Sequence, residues 1–118
     1  MGLRSLGKRL RTTVDELDDE RKRDRLAGLD LTPIEAISPR VQVRIGGEVT
    51  RSRIAARSGV PAFEITVSDG TGSAVAVFTG RRSLAGLDHQ RVVVLEGVPR
   101  EEHGQMVFLN PAYELQPH

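Results

Sequence analysis

Five arginines lie between Arg40 and Arg57, against a single acid, Glu48. Four of them, Arg44, Arg51, Arg53 and Arg57, fall where the chain alternates or turns, so their side chains are available to a ligand. A guanidinium presents its donors in a planar fork that matches phosphate oxygens. Arg81, Arg82 and Arg100 extend the set, and three flat groups, Phe78, His103 and Tyr113, accompany it. A base stacked on such a group contributes about 1–3 kcal/mol. Arginines with interleaved flat groups therefore point to a sugar-phosphate chain with splayed bases as the ligand. The chain holds three Phe, one Tyr and no Trp, so high-affinity stacking along a long strand is not expected and any binding should be weak and salt-sensitive. Lysine is confined to Lys8 and Lys22, a bias that high-GC coding also produces.

Other chemistries lack their residues. Cysteine is absent, which removes disulfides, thiolate catalysis and the usual zinc sites. His89, His103 and His118 have no metal-ligand spacing, and no G-x-x-x-x-G-K-[ST] loop is present to cradle a nucleotide. Asp69-Gly70-Thr71-Gly72 is explained by a turn. The expectation is a non-enzymatic protein without metal or cofactor. No run of about 18 apolar residues spans a membrane, and MGLRSLGKRL is too basic and too broken for a secretory signal, so the expected location is the cytoplasm. Net charge is +1. Residues 1–40 carry nine Lys/Arg against eight Asp/Glu, and residues 41–118 carry eight of each. A binding surface must come from local clustering rather than from a basic whole.

The elements that must position these residues are mostly strands. Phe63, Ile65 and Val67 alternate with Glu64, Thr66 and Ser68, the period-2 pattern of a half-buried strand. Asp69-Gly70-Thr71-Gly72 reverses the chain, and the alternation resumes through Val75 and Val77. With Phe63, Ile65, Val67, Val75 and Val77 inward, Phe78 faces the ligand side. Val41, Val43, Ile45 and Val49 make a first strand that Gly46-Gly47 bends, and Arg51 to Gly59 is expected to be a connecting loop. Val92–Leu95 is a buried fourth strand, Arg100–Gly104 a reversal and Gln105–Leu109 a fifth strand. Ahead of the strands, Leu3, Leu6 and Leu10 sit at helical spacing among basic residues. Thr13-Val14-Asp15-Glu16 has capping-box spacing and starts a solvated helix that Gly28 ends. Thr32-Pro33-Ile34-Glu35 repeats the start signal for one or two turns that plug the first strand with Ile34 and Ile37.

VRIGGEV, VSDGTGSAVAVF and FLNPAYEL together resemble the wedge domain of RecG-type branched-DNA helicases and, more loosely, the anticodon-binding modules of class II tRNA synthetases. The chain is also similar to small stand-alone OB-fold proteins of high-GC actinobacteria, in which a charged helical arm precedes the barrel. The resemblance covers roughly residues 38–115. It implies a mainly β fold, a five-stranded OB barrel over 38–118 preceded by a helical arm over 1–37. It also implies binding of single-stranded or branched DNA in preference to RNA, in repair or recombination. Without a phosphate loop the match supports a module and not a motor. The competing expectation is a protein-interaction or regulatory OB domain, with a protein partner held by the barrel groove or the charged arm, or a second copy held by the arm; the neutral barrel, the few aromatics and the solvated helix speak for it.

Overall fold

A computed structural model describes residues 28–117. The expected leucine-basic arm and the helix from Val14 lie outside them. Within them the protein is mainly β, and the one helical element is a 3-10 turn, Ile34–Ala36. Seven strands follow: β1 (Val43–Arg57), β2 (Val60–Ser68), β3 (Ser73–Thr79), β4 (Val92–Gly97), β5 (Arg100–Glu102), β6 (Gln105–Leu109) and β7 (Ala112–Leu115). They form one sheet in the order β5-β6-β3-β2-β1-β4-β7. All neighbouring pairs are antiparallel except β3 with β6, which run parallel. Among the described residues no helix is long and apolar enough to cross a membrane.

The segment Arg51–Arg57 is not a loop. It is the second half of β1, and Ser58-Gly59 turns it directly into β2. Both turn residues have positive φ, 51° and 79°, the two-residue reversal whose twist matches that of paired strands. His103-Gly104, at 50° and 79°, makes the same kind of turn between β5 and β6.

β1 serves two neighbours. Val43–Glu48 pair with β4, and Glu48–Arg57 pair with β2. The handover sits at Glu48, and just beyond it, at Thr50, the register steps from Val49↔Val67 to Arg51↔Thr66. The irregularity is therefore this bulge, three residues beyond the expected glycine bend. Gly47 has a different role: a Cβ there would overlap the Ser68 carbonyl, so β1 and β2 cross more closely than any side chain permits.

In hydrogen-bonding terms the sheet is open, since β7 ends one side and β5 the other. Yet β4 and β5 are joined by Val98-Pro99 alone, a link that spans at most about 11 Å. Laid flat, the strands between them would separate β4 from β5 by about 24 Å. The sheet is consequently rolled until its sides approach. Pro99 is buried and its carbonyl accepts the Arg40 N–H at 2.8 Å. A Cβ at Gly97 would lie 3.5 Å from the Phe108 ring of β6.

Inside the roll, Phe108, Ile45, Ile65, Leu95, Val49 and Val67 are essentially inaccessible to solvent. Ile34 and Ile37 complete this core, as their spacing predicts. The inward set on β3 differs from expectation. Ser68 pairs with Ser73 across a four-residue loop, so Phe63, Ile65 and Val67 stand opposite Phe78, Ala76 and Ala74. Directly opposed residues share a face, and a shift of one residue exchanges the two faces. Val75 and Val77 thus point outward, with Ala62 and Val107, as a second apolar cluster.

Asp69 ties the 3-10 turn to this hairpin. Its carboxylate accepts the Ile34 N–H at 2.9 Å, the Thr71 N–H at 2.9 Å, the Thr71 hydroxyl at 2.6 Å and the Gly72 N–H at 3.2 Å. The Thr71 oxygen accepts the Glu35 N–H in turn, at 3.2 Å. The cap comes from this loop, across 35 residues; Thr32 does not supply it, and Pro33 in the N-cap position makes no side-chain bond.

Candidate functional site

The outer face of β2, β3 and β6 forms the floor of a groove of about 340 Å³. Thr66, Val75, Val77 and Val107 make the floor, and Arg51, Arg53 and Arg57 of β1 make one wall. Glu102, His103 and Gln105, at the β5–β6 turn, make the other. The bulge at Thr50 places the arginines. Before it the odd-numbered residues Ile45 and Val49 face the core, and after it Arg51 and Arg53 face the groove opposite Thr66 and Glu64. One extra residue reverses the side on which odd positions emerge.

Carboxylates answer the arginines. Arg53 Nε donates to Glu64 Oε2 at 2.7 Å, and Glu64 is only 8% exposed. Arg57 Nη2 donates to both Glu102 oxygens, at 2.6 and 2.9 Å, and Arg100 Nη2 reaches the same carboxylate at 2.8 Å. The Arg57 hydrogen bond is the main cause that holds Glu102 below the usual carboxylate range; slight burial opposes it, and the Arg57 and Arg100 charges reinforce it. Among the described residues nothing engages the Arg51 guanidinium, which is exposed. Three arginines stand against two glutamates in the lining, a formal +1 from these five residues.

The sequence-predicted residues therefore divide. Arg51, Arg53, Arg57 and His103 line the groove, and Arg100 reaches it through Glu102. Arg44 lies on the other half of β1 beside Glu96 and comes within 3.9 Å of Glu114. Arg81 and Arg82, just past β3, are exposed and outside the groove.

No family model matches this chain, and no curated protein matches it either.

Phe78 does not face the ligand side. The four-residue hairpin loop turns it inward, where it is 5% exposed and part of the core. Tyr113, opposite Leu95 on β7, meets it edge-on with ring centroids 5.5 Å apart and planes at 79°. The two rings cover one end of the core together, Tyr113 remaining 41% exposed, and neither lines the groove. Glu64 stands on the groove face as its alternation predicts. Glu102 lies outside the sequence-predicted set; the signal for it is the His103-Gly104 pair, a two-residue turn that brings a short strand back beside Gln105. Among the described residues no three His, Asp or Glu side chains converge on a metal position.

Proposed function

We propose that this chain is a non-enzymatic nucleic-acid-binding module of the OB type, which takes single-stranded or branched DNA into the groove over β2 and β3. The observation that carries the reading is the arginine wall of β1, three guanidiniums along one side of an open groove. The strand connections support it. A β1-β2-β3 meander, β4 back against β1 and a strand returning parallel to β3 follow the OB order, with β4 and β5 taken as one interrupted strand. The likeness to the wedge domain of RecG-type helicases agrees with a DNA ligand and a role in repair or recombination in the cytoplasm.

With neither Phe78 nor Tyr113 in the groove and His103 its one flat group among the described residues, phosphate contacts supply most of the affinity. Two or three such contacts give a log–log salt slope between about −1.4 and −2.1 on a single strand. Fluorescence anisotropy with labelled single-stranded, duplex and forked DNA tests this. The expected result is a Kd on the order of 10⁻⁵ M that weakens about 7- to 20-fold between 50 and 200 mM salt. Arg51→Glu with Arg53→Glu and Arg57→Glu should abolish it. Absence of binding at low salt overturns the reading.

A second reading, a protein-interaction OB domain, is favoured by the same lining. Arg53 and Arg57 already hold carboxylates, and three of the four floor residues are valine. A salt-insensitive protein complex with no DNA affinity decides for it.

A further inference from the structure

Arg57 and Glu102 come from opposite walls of the groove. In the sheet order β6, β3 and β2 all lie between β1 and β5, a separation of about 19 Å if the strands were flat. The pair nevertheless closes to 2.6 Å. It bridges the β1–β2 hairpin, next to its Ser58-Gly59 turn, and the β5–β6 hairpin, next to its His103-Gly104 turn. An ion pair in this position spans the groove and does not merely edge it.

The two ion pairs of the lining differ in what would follow if each opened. Glu64 has a side chain only 10% exposed. Loss of Arg53 would leave its carboxylate charged, buried and uncompensated, which is strongly unfavourable. Glu102 and Arg57 are each about a quarter exposed, at 26% and 27%, so solvent and anions reach them and salt screens them. Glu102 also has a second partner, Arg100 at 2.8 Å. If Arg57 leaves, the carboxylate remains neutralised.

We propose that the Arg57–Glu102 pair is a displaceable strap across the groove, opened when a ligand phosphate replaces the Glu102 carboxylate on Arg57 while Arg100 keeps Glu102. The proposal rests on the nucleic-acid reading of this groove for the identity of the displacing anion. It divides the labour among the arginines. Arg51 is the phosphate contact available at the outset, Arg57 is the one gained by exchange, and Arg53 stays with Glu64 and shapes the floor. Arg51 and Arg57 are separated by about 20 Å along the strand, so a ligand held by both lies lengthwise under the opened strap.

The chain has no cysteine, so spin labels can be placed at will. Ser58→Cys and Glu101→Cys put one label on each hairpin at exposed positions, and pulsed electron resonance reads the distance between them. One narrow distribution is expected without ligand. Glu102→Gln should broaden it and shift it to longer distance, and Arg57→Gln should do the same. A short oligothymidylate should reproduce the shift in the protein that retains Glu102 and add nothing in Glu102→Gln. In the unlabelled protein Glu102→Gln should bind that oligonucleotide about 3- to 10-fold more tightly. Glu101→Gln, the same charge change on the adjacent residue, should alter binding less than 2-fold. If neither Glu102→Gln nor Arg57→Gln changes the distance distribution, the strap is overturned, whatever the chain binds. If the distribution broadens in both variants while no oligonucleotide binds, the strap stands and the nucleic-acid reading falls.

Discussion

Asp69 shows how much one side chain can organise here. Burial pushes its carboxyl up, but the Thr71 hydroxyl and the Ile34, Thr71 and Gly72 N–H groups together outweigh this and hold it below its ordinary 3.8. Since the folded value is the lower one, the carboxylate favours the fold fully above the unfolded value. That stability is lost as pH falls through the folded value, below about pH 4. Asp69→Ala should cost about 1–2 kcal/mol at pH 7, the range for a lost helix cap, and it should flatten the decline in stability below pH 4. Urea unfolding at pH 7 and at pH 3 measures both. An unchanged midpoint at pH 7 would show that the four bonds add nothing over solvation. The sequence makes the loop legible as a turn but not its second task, because the donors of Ile34 and Glu35 reach it only through the fold. Phe78 fails for a related reason. Alternation identifies two faces on each strand, and only the register across Asp69–Gly72 decides which faces meet. Four loop residues pair Ser68 with Ser73, so odd positions on β2 match even positions on β3. The loop length was readable, and its parity placed Phe78 in the core.

At the scale of the elements, the bulge at Thr50 does for β1 what that loop does for β3. The five expected strands occur at β1, β2, β3, β4 and β6, because alternation or an unbroken β-branched run marks each of them. The outer half of β1 was not legible, since Arg51-Ser52-Arg53-Ile54-Ala55-Ala56-Arg57 is polar, rich in alanine and leaves Ile54 60% exposed. It is a strand because Ser58-Gly59 returns it along β2, and the Ser-Gly dipeptide was its one local signal. Deletion of Thr50 removes the extra residue and forces a choice. Either Arg51 and Arg53 turn toward the side that Phe63 occupies, or Ile45 and Val49 turn outward. Each choice exchanges faces along several residues, and a charge brought inward without a partner alone costs about 3 kcal/mol or more. The deletion should therefore lower the unfolding free energy by at least about 3 kcal/mol. Chemical denaturation followed by circular dichroism checks it, and a midpoint within error of the parent would mean that the bulge is incidental.

For the molecule as a whole, the decisive property is that the roll is completed by contacts distant in sequence. β1 pairs with β4, β3 with β6, and β4 with β7, and one continuous core cluster runs from Ile34 to Phe108. Such pairings close large loops before they contribute stability, so refolding belongs in the millisecond-to-second range. Because the described strands share one main core, they should fold as a single cooperative unit. Tyr113 is the chain's one tyrosine, and there is no tryptophan. It sits edge-on against Phe78 at the end of the core that β7 covers. Its fluorescence therefore reports the last strand docking on the rolled sheet, whereas far-ultraviolet circular dichroism reports the sheet itself. Stopped-flow refolding should give one rate constant common to both signals, and Phe78→Leu should lower stability while leaving the two signals coincident. A tyrosine signal that recovers more slowly than the circular dichroism would make β7 a separate unit. The end of the core would then open independently of the groove.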